Sequence, residues 1–399
     1  MGMGARGKRG RRFEFMARSR TRRTVSTVIA LVLALTVVLT PLLLFWPASE
    51  DIVISEGSWT MPGGGPAHLS YLPFAPQGPL KERWSTRLEG VLAGPPAVAG
   101  ERVYACCENG FLYSLDLQSG SPVWRFDAGG GVASMPAVSE EGIFLGTLDG
   151  RVLSVDPEGE LNWELEVGGP VISTPIPEGG RVYFGSSDDY VYCVDAGDGS
   201  MLWDFEAEGP VEVSPCLYEG QVFGASYEGD LFALDAKDGR LLWTFRSQGV
   251  PVVFPAASDG KVFLASEFEV HCIDAQSGMV LWEYAIGPTV ISNLAVRGNQ
   301  LVVVRGSSGE ESKTISLDAR TGDLLWEAVS GETTDRTPLF ATNEDVYLCG
   351  IDYLRALAVE SGIPSLEIDL RGVLPETLTM TESYVLAGTD ARKVYCFEE

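Results

Sequence analysis

Thiols and imidazoles are the side chains in this chain with the clearest potential for chemistry. Cys106 and Cys107 are adjacent, and a thiol can act as a nucleophile or be oxidised. The two histidines of the chain, His68 and His271, lie about 200 residues apart. Acidic residues are abundant, but they are scattered and form no ligand cluster. With no Ser-His-Asp set, zinc-spaced Cys/His set or phosphate loop either, we predict no catalytic residue and no metal site. Cys106 and Cys107 remain the candidates for a functional site.

These residues are embedded in a repeat whose clearest copy is Leu231–Phe245. Two runs with apolar residues at alternate positions flank a polar turn that contains Asp235 and Gly239, and Trp243 follows. Alternation with period two predicts strands that each bury one face. Gly239 provides the positive φ that a tight reversal needs. The unit is therefore predicted to be a β-hairpin that carries Asp, Gly four residues later, and Trp four residues after that.

The signature recurs along most of the chain. It occurs at Asp116, Gly120, Trp124; Asp195, Gly199, Trp203; Asp235, Gly239, Trp243; Asp274, Gly278, Trp282; and Asp318, Gly322, Trp326, while Asp156, Gly159, Trp163 is one residue shorter. One copy, at Ala358, Gly362 and Leu366, has lost both the Asp and the Trp. Trp84 lies in a copy that lacks its first strand. From Trp84 to Leu366 the spacings are 40, 39, 40, 40, 39, 44 and 40 residues. A period near 40 made of short strands predicts a β-propeller.

Each period contains four strand-like runs, and the ends of the chain give the blade count. The first run of a period carries Pro close to its end, as in Val132–Pro136, which suits an innermost strand. The chain ends at Val394–Glu399, which matches a third strand, whereas Trp84 lies in a fourth strand with no partner before it. Pairing the two would close the ring. We predict an all-β, eight-bladed propeller of four-stranded antiparallel blades over residues 78–399.

The amino-terminal part has the pattern of a membrane anchor. Residues 1–23 are basic, residues 24–47 are uncharged and long enough to span a bilayer as a helix, and residues 48–77 form a linker and lead-in segment. The basic flank predicts a cytoplasmic N-terminus, with the propeller on the extracytoplasmic side of the cell membrane. A cleaved signal peptide is the alternative. Its apolar region would be unusually long, and no small-x-small cleavage site follows it.

The charge of the chain is strongly asymmetric. There are 55 Asp or Glu against 29 Lys or Arg, for a formal net charge of -26. Nine of the basic residues precede Pro47, so the predicted propeller is more acidic than the chain as a whole. Such a body repels nucleic acid, which we exclude as a partner.

The repeat residues have a structural interpretation. A Trp at one place in each blade packs between blades with its N–H on a loop carbonyl, and the Asp ties down its own turn. Cys193, Cys272 and Cys396 share one repeat position, where other blades have Ser or Ala, so a small buried residue is expected there. His271 takes the place of Tyr192 or Phe232 and is expected to be a half-buried strand residue.

The repeat resembles the pyrroloquinoline quinone (PQQ)-like repeat family of β-propellers. The motif Ala-Leu-Asp-Ala-x-x-Gly-x-x-x-Trp at Ala233–Trp243 carries this resemblance, as does the opening Trp59-x-Met61-x-x-Gly64-x-Pro66-Ala67-His68. The eight-blade count resembles the BamB type, the accessory propeller of the outer-membrane assembly machine. The predicted spanning helix departs from that type, which has a lipid-anchored Cys.

The resemblance implies two kinds of function. One is a non-catalytic scaffold that binds a protein partner at its loops and needs no cofactor. The other is a PQQ-dependent dehydrogenase with calcium, in which Cys106 and Cys107 would form a vicinal disulfide beside the quinone. The pair aligns with Gly185-Ser186 at the end of a second strand, which favours buried thiols. A ligand-sensing ectodomain is a third reading, weakened because the cytoplasmic part is too short to fold. We predict the scaffold.

Two regions break the repeat. The 44-residue spacing contains a longer polar loop at Gly306–Lys313, and the last repeat has Ala358, Leu366 and, in place of Pro, Leu378. Two explanations fit these departures. One is sequence drift in a loop that tolerates change, and the other is a blade adapted to bind a partner.

Overall fold

A computed structural model describes most of the chain after residue 57. The described residues are 58–399 without 74, 77, 79, 252, 288–291, 307–310, 333–337, 351–352 and 371–376, together with Ile52 and Ile54. Within them, no helix is long and apolar enough to cross a membrane. The basic segment 1–23 and the predicted spanning helix 24–47 lie outside this part.

The first half of the chain forms one lone strand and the first four blades. A 3-10 turn, Pro62–Gly64, precedes β1 (Lys81–Arg87). Blade 1 is β2 (Ala97–Ala99), β3 (Arg102–Cys106), β4 (Phe111–Asp116) and β5 (Pro122–Asp127). Blade 2 is β6 (Ala137–Ser139), β7 (Gly142–Gly146), β8 (Arg151–Val155) and β9 (Leu161–Glu166). Blade 3 is β10 (Ile176–Glu178), β11 (Arg181–Gly185), β12 (Tyr190–Asp195) and β13 (Met201–Glu206). Blade 4 is β14 (Cys216–Tyr218), β15 (Gln221–Ala225), β16 (Asp230–Asp235) and β17 (Leu241–Arg246).

The second half forms the remaining blades. Blade 5 is β18 (Ala256–Ser258), β19 (Lys261–Ala265), β20 (Glu269–Asp274) and β21 (Val280–Ala285). Blade 6 is β22 (Ala295–Arg297), β23 (Gln300–Arg305), β24 (Glu311–Asp318) and β25 (Leu324–Glu332). Blade 7 is β26 (Leu339–Ala341), β27 (Asp345–Cys349), β28 (Tyr353–Ala358) and β29 (Pro364–Asp369). Blade 8 is β30 (Thr377–Met380), β31 (Tyr384–Gly388) and β32 (Lys393–Glu398), completed by β1.

The eight-bladed propeller is confirmed. The described strands form eight four-stranded antiparallel sheets, each built from consecutive strands except the last. That last sheet has the order β1-β32-β31-β30, so the predicted closure is also confirmed. Trp84 lies opposite Cys396, and Arg87 lies opposite Lys393. The two ends of the described propeller thus share one sheet, which leaves no open edge at the join.

The expected position of the repeat Pro was wrong. In six blades the Pro comes immediately before the innermost strand and not near its end: Pro96, Pro136, Pro175, Pro215, Pro255 and Pro338. The run Val132–Pro136 therefore connects two blades, and the innermost strand begins at Ala137. A Pro at this point costs no ladder hydrogen bond, because pairing starts with the next residue.

A β-bulge lies near the start of the outermost strand of every blade. The register with the third strand shifts just before the Trp position in all eight sheets, for example between Ala233 and Leu234 opposite Leu241–Trp243. A bulge bends and twists an edge strand, which discourages pairing with another chain.

The core is divided between the blades. The described residues form eight apolar clusters, one between each pair of neighbouring blades. Successive residues of a strand point to opposite faces of their sheet. Each blade therefore contributes alternate residues to the cluster before it and the cluster after it, and the ring is held by contacts between neighbours.

The long spacing before Trp326 is an extension of blade 6. β24 and β25 have 8 and 9 residues, against 6 in the matching strands of blade 5. The extension is fastened to blade 7, because the carbonyl oxygen of Ser330 accepts bonds from the Tyr353 hydroxyl (2.7 Å) and Arg355 Nη1 (2.8 Å).

The closure makes a testable prediction at Trp84. The Trp84→Ala variant loses the indole between blades 8 and 1, and we expect it to be destabilised by about 3–5 kcal/mol. Leu366→Ala, at the same repeat position in blade 7, is the matched control with a smaller expected loss. Urea unfolding followed by fluorescence measures both. An equal loss in the two variants would show that the closing junction has no special weight.

Candidate functional site

The repeat tryptophans bind the loop of the next blade. Each indole N–H donates to a backbone carbonyl beside the following Asp–Gly loop, at 2.7–3.2 Å: Trp84 to Leu117, Trp124 to Pro157, Trp163 to Ala196, Trp203 to Ala236, Trp243 to Ala275, Trp282 to Ala319 and Trp326 to Val359. A Cβ added to Gly239 would lie 2.7 Å from the Trp203 ring, and Gly239 has φ +72°. The signature Gly is therefore needed both for its turn and for the close approach of the indole.

The repeat aspartates bind their own turns. Asp116 Oδ1 accepts from the backbone N–H of Ser119 at 2.8 Å, and Asp235 Oδ1 accepts from that of Lys237 at 2.9 Å. Hydrogen bonds lower the pKa of Asp116, and the largest effect comes from the Ser119 side chain. The pKa of Asp318 is lowered to about 2, mainly by the hydrogen bond from the Arg320 side chain. Asp116 and Asp318 are therefore ionised at neutral pH. The bonds within the loops show that these aspartates stabilise their own turns.

The small repeat position lies opposite the Trp position. Cys193 pairs with Trp203, Cys272 with Trp282 and Cys396 with Trp84, while blades 1 and 4 use Ser114 and Ala233. These third-strand residues are fully buried. The position is one of packing, and burial raises the pKa of the Cys193 thiol to about 12.

Cys106 and Cys107 have separate surroundings. Cys106 ends β3 and lies in the apolar cluster between blades 1 and 2, whereas Cys107 lies in the cluster between blades 8 and 1. Both are buried free thiols. Burial raises the pKa of Cys107 to about 12 and also raises that of Cys106. The two side chains thus lie on opposite sides of one strand, as residues that are neighbours in a strand do.

His271 lies deeper than its expected half-buried position. Its ring is 1% exposed, packs edge-on against Phe245 at 5.1 Å, and lies between Glu269 and Glu283 at 3.6 and 3.5 Å. Burial lowers its pKa, against the opposing effect of Glu283 and then Glu269. It is a neutral packing residue of β20 at neutral pH.

The lead-in segment is the feature that sequence reasoning did not resolve. Residues 58–72, here called the strap, run along the channel-facing edges of the innermost strands. Backbone N–H groups of six blades donate to strap carbonyls at 2.8–3.0 Å: Val98 to Trp59, Val138 to Thr60, Leu217 to Pro66, Ala257 to Ala67, Val296 to Leu69 and Ala341 to Ser70. These strand edges would otherwise be unpaired. The strap therefore occupies part of the axis, where a propeller could hold a small ligand.

Among the described residues, blades 3 and 8 donate no such bond to the strap, and in blade 3 the sequence gives the reason. The middle residue of β10 is Pro177, which has no N–H to donate. A cavity of about 360 Å³ lies beside this point, bounded by Pro66, Tyr183, Leu217 and Gln221. Arg181 also borders it, with Nη1 bonded to the carbonyl oxygens of Ala236 and Lys237.

His68 fixes the strap against blade 5. It is fully buried, its Nδ1 lies 3.2 Å from the Pro255 carbonyl oxygen, and its ring packs edge-on against Phe254 at 4.6 Å. Its φ of 53° brings the backbone close to Gly63, where an added Cβ would lie 2.4 Å from His68 Cα. Burial is the main cause that lowers the pKa of His68 to about 3, so the ring is neutral.

One face of the ring carries exposed apolar residues. We call it the turn face, because it carries the turns between the second and third strands. Leu148, Tyr227 and Phe268 lie in these turns in blades 2, 4 and 5 and are 52%, 58% and 55% exposed. Their neighbours include Asp149, Glu228 and Glu267. The signal in the sequence was a large apolar residue within a short polar turn, a pattern we did not single out.

PQQ with calcium would need a set of residues to hold it, which can be sought among the described residues. Among them, no group of three or more His, Cys, Asp or Glu side chains could hold a metal ion. Cys106 and Cys107 lie in different apolar clusters, so they do not present a joint surface to a quinone.

Comparisons with known proteins agree with the repeat. The family profile described as outer membrane protein assembly factor BamB matches residues 80–178, 166–254 and 246–362. No curated protein sequence matches. Among solved structures, BamB from Moraxella catarrhalis has a TM-score of 0.66 at 17% identity, with 80% of this chain and 100% of that chain covered.

Two other solved structures widen the comparison. The computationally designed Ika8 protein has a TM-score of 0.70 at 16% identity, covering 81% of this chain and 100% of that one. Quinohemoprotein alcohol dehydrogenase from Comamonas testosteroni has a TM-score of 0.68 at 13% identity, covering 86% and 80%. At these identities the likeness concerns the fold, which scaffolds, enzymes and designed rings share.

His68 predicts a loss of stability in mild acid. Its folded pKa of about 3 lies below its usual 6.5, so the unfolded chain binds a proton that the folded chain does not, and stability falls as pH drops below about 6.5. We expect the protonation of His68 in the unfolded chain to lower the free energy of unfolding by about 2 kcal/mol between pH 7 and pH 5. A His68→Phe variant lacks this group, so its free energy of unfolding should fall by about 2 kcal/mol less than that of the unchanged protein over the same pH range. Urea unfolding at each pH measures both. Parallel losses in the two proteins would contradict a buried neutral His68.

Proposed function

This chain belongs to the family of outer membrane protein assembly factor BamB, and on that premise we propose that it is a non-catalytic scaffold that binds a protein partner. The scaffold would be held by its N-terminal segment in the cytoplasmic membrane, with the propeller on the extracytoplasmic side. It would work without a bound quinone. The observation that carries the binding role is the group of exposed apolar side chains on the turn face.

The turn face has the composition of a binding surface. Leu148, Tyr227 and Phe268 each expose more than half of their area, and Ile172, in the connection between blades 2 and 3, is 36% exposed. Large exposed apolar and aromatic residues are common at protein interfaces, where aromatic residues contribute much of the binding energy. The turns are tied to the ring, since Tyr227 N–H donates to the Pro210 carbonyl oxygen at 2.8 Å. The apolar side chains are therefore presented from a rigid base.

The charges around these residues favour a basic partner. Glu228 is exposed beside Tyr227, and Glu267 lies beside Phe268. The nearby cations are already paired, because Arg151 binds Asp149 at 2.9 Å and Arg246 lies 3.4 Å from Glu208. Complementary charge speeds association and selects among partners. The favoured partner is a protein surface that combines apolar side chains with Lys or Arg.

The axis supports the same proposal. Strap carbonyls already accept the inward N–H groups of six innermost strands, so this inner surface is committed to the chain itself. A rigid ring of this kind aims its loops outward, and loops on rigid scaffolds commonly carry binding. The dehydrogenase alternative has the shared fold in its favour, because quinohemoprotein alcohol dehydrogenase from Comamonas testosteroni is structurally similar to this chain.

Photo-crosslinking in intact cells tests the turn face. A benzoylphenylalanine placed at Tyr227 or at Phe268 should give one discrete protein adduct, while the same residue at Leu241, which is 43% exposed on the outermost strand of blade 4, should give none. The Tyr227→Ser variant should weaken the adduct formed from position 268, and Leu241→Ser should leave it unchanged. The same adduct from all three positions, or none from any, would reject the turn face as the binding surface.

Protease access tests the proposed location. In spheroplasts, added protease should remove an epitope tag at the C-terminus and leave a tag placed before Met1 intact, because only the propeller would lie outside. Lysed cells provide the control in which both tags are cleaved. Protection of the C-terminal tag in intact spheroplasts would place the propeller in the cytoplasm and contradict this part of the proposal.

A further inference from the structure

Asp230 is a buried carboxylate on the turn face, and the repeat does not account for it. It is the first residue of β16 and closes the turn that carries Tyr227, because the Ser226 N–H donates to the Asp230 carbonyl oxygen at 2.8 Å. Asp230 is 8% exposed, whereas more than half of Tyr227 is exposed. The first residue of the third strand in six other blades is Phe111, Arg151, Tyr190, Glu269, Tyr353 or Lys393. No property shared by the blades therefore requires an Asp at this position.

The Asp230 carboxylate lacks the hydrogen bonds that burial normally demands. Its Oδ2 is enclosed and has no hydrogen-bond partner among the described residues. Arg246 lies opposite Asp230 in the blade, but its Nη1 is 3.6 Å from Oδ2, which is too far for a hydrogen bond. A buried ionised group without such bonds is unfavourable. The folded protein thus holds an anion that an additional donor would stabilise.

Arg246 is divided between several acceptors. Its side chain is 59% exposed, and its guanidinium also lies 3.4 Å from Glu208 and donates to the carbonyl oxygen of Glu228 at 3.2 Å. Burial raises the pKa of Asp230, Arg246 opposes this effect, and the charges of Glu208 and Glu228 add to it. The carboxylates of Asp230, Glu208 and Glu228 therefore outnumber the one guanidinium between them, and the local field attracts a second cation.

Blade 2 shows a well-paired charge at the same strand position. Arg151 donates to Asp149 Oδ2 at 2.9 Å and to the Ala128 carbonyl oxygen at 2.7 Å, and it lies 3.3 Å from Glu164. These partners all belong to the ring itself. Asp230 has no comparable set, which is the arrangement expected of a charge that pairs with another molecule.

We propose that Asp230 is the specificity-determining residue of the turn face, and that it receives the ammonium or guanidinium group of one Lys or Arg side chain of the protein partner. The inference rests on the protein-binding role proposed above for the turn face. The aliphatic stem of the incoming side chain lies on the ring of Tyr227, and its charged end reaches Asp230. Folding has already removed most of the water around Asp230, so pairing there costs less desolvation than pairing at an exposed carboxylate.

Photo-crosslinking in intact cells tests Asp230 separately from the turn face as a whole. Benzoylphenylalanine at Phe268 reports the adduct. Asp230→Asn should reduce the adduct yield about fivefold or more, because the charge is lost while the shape of the side chain is kept. Glu219→Gln is the matched control, since Glu219 is exposed in the turn between the first two strands of blade 4, on the opposite face. It should change the yield less than about twofold.

The outcomes separate this inference from the proposed function. An adduct that forms equally well with Asp230→Asn would overturn the role of Asp230 and leave the turn face as the binding surface. No adduct from position 268 in the otherwise unchanged protein would reject the turn face, and this inference with it. Urea unfolding should find Asp230→Asn at least as stable as the unchanged protein, because the variant buries no under-paired charge. A clear loss of stability would mean that Asp230 is paired within the ring, which contradicts the proposal.

A small cation gives a second test that needs no partner protein. N-acetyl-arginine amide, added to the full-length protein in detergent, should receive magnetisation from the protein in saturation-transfer NMR. The uncharged N-acetyl-citrulline amide, which has nearly the same shape, should receive much less. Asp230→Asn should remove most of the difference between the two compounds, and Glu219→Gln should preserve it. The same difference with Asp230→Asn as with the unchanged protein would reject Asp230 as the residue that binds the cation.

Discussion

Seven of the eight blades hold the next blade through one indole, which lies against a glycine and donates its N–H to a carbonyl in the neighbouring loop. Trp203 on Gly239 and Ala236 shows the arrangement, and it occurs at seven junctions of the described ring. The indole needs a small residue behind it, such as Cys193, and a bulge that turns the start of its strand. The Asp of the loop fixes the turn that presents the carbonyl. One contact thus accounts for the whole signature of the repeat.

Closing the ring forces one exception to this contact. A chain that pairs its first strand with its last strand must break inside one blade, and here the break falls where the Asp–Gly loop of blade 8 would be. An indole in blade 7 would have no loop to bind, and Leu366 stands there. The departures in the last repeat, which could also have reflected drift or a partner-binding blade, coincide with this break. The lead-in segment supplies the missing packing through Leu72, Ala75 and Leu80.

The channel shows how an edge problem can be solved within one chain. Innermost strands of three or four residues leave backbone groups pointing at the axis, and the strap pairs with them in six blades. His68, Gly63 and the bonds to Pro255 and Ser70 hold the strap in its path. The inner surface is then taken up by the chain itself, and the exposed apolar residues of the turn face remain for contact with another molecule. This division supports the scaffold role that we propose.

The sequence by itself determined the fold of this protein. Strand periodicity, the spacing of Trp84 to Leu366 and the unmatched strands at the two ends were sufficient for eight blades and their closure, because each blade repeats one local pattern. The repeat also aligned Cys106-Cys107 with a strand end. Only the tertiary structure decided what depends on contacts between distant segments: the path of the strap, the separation of Cys106 from Cys107 into two clusters, the depth of His271 and the hydrogen bond from Tyr347 to Pro76. No local pattern encodes these features. Pro76 and Tyr347, for example, are 271 residues apart in sequence and meet only once the ring has closed.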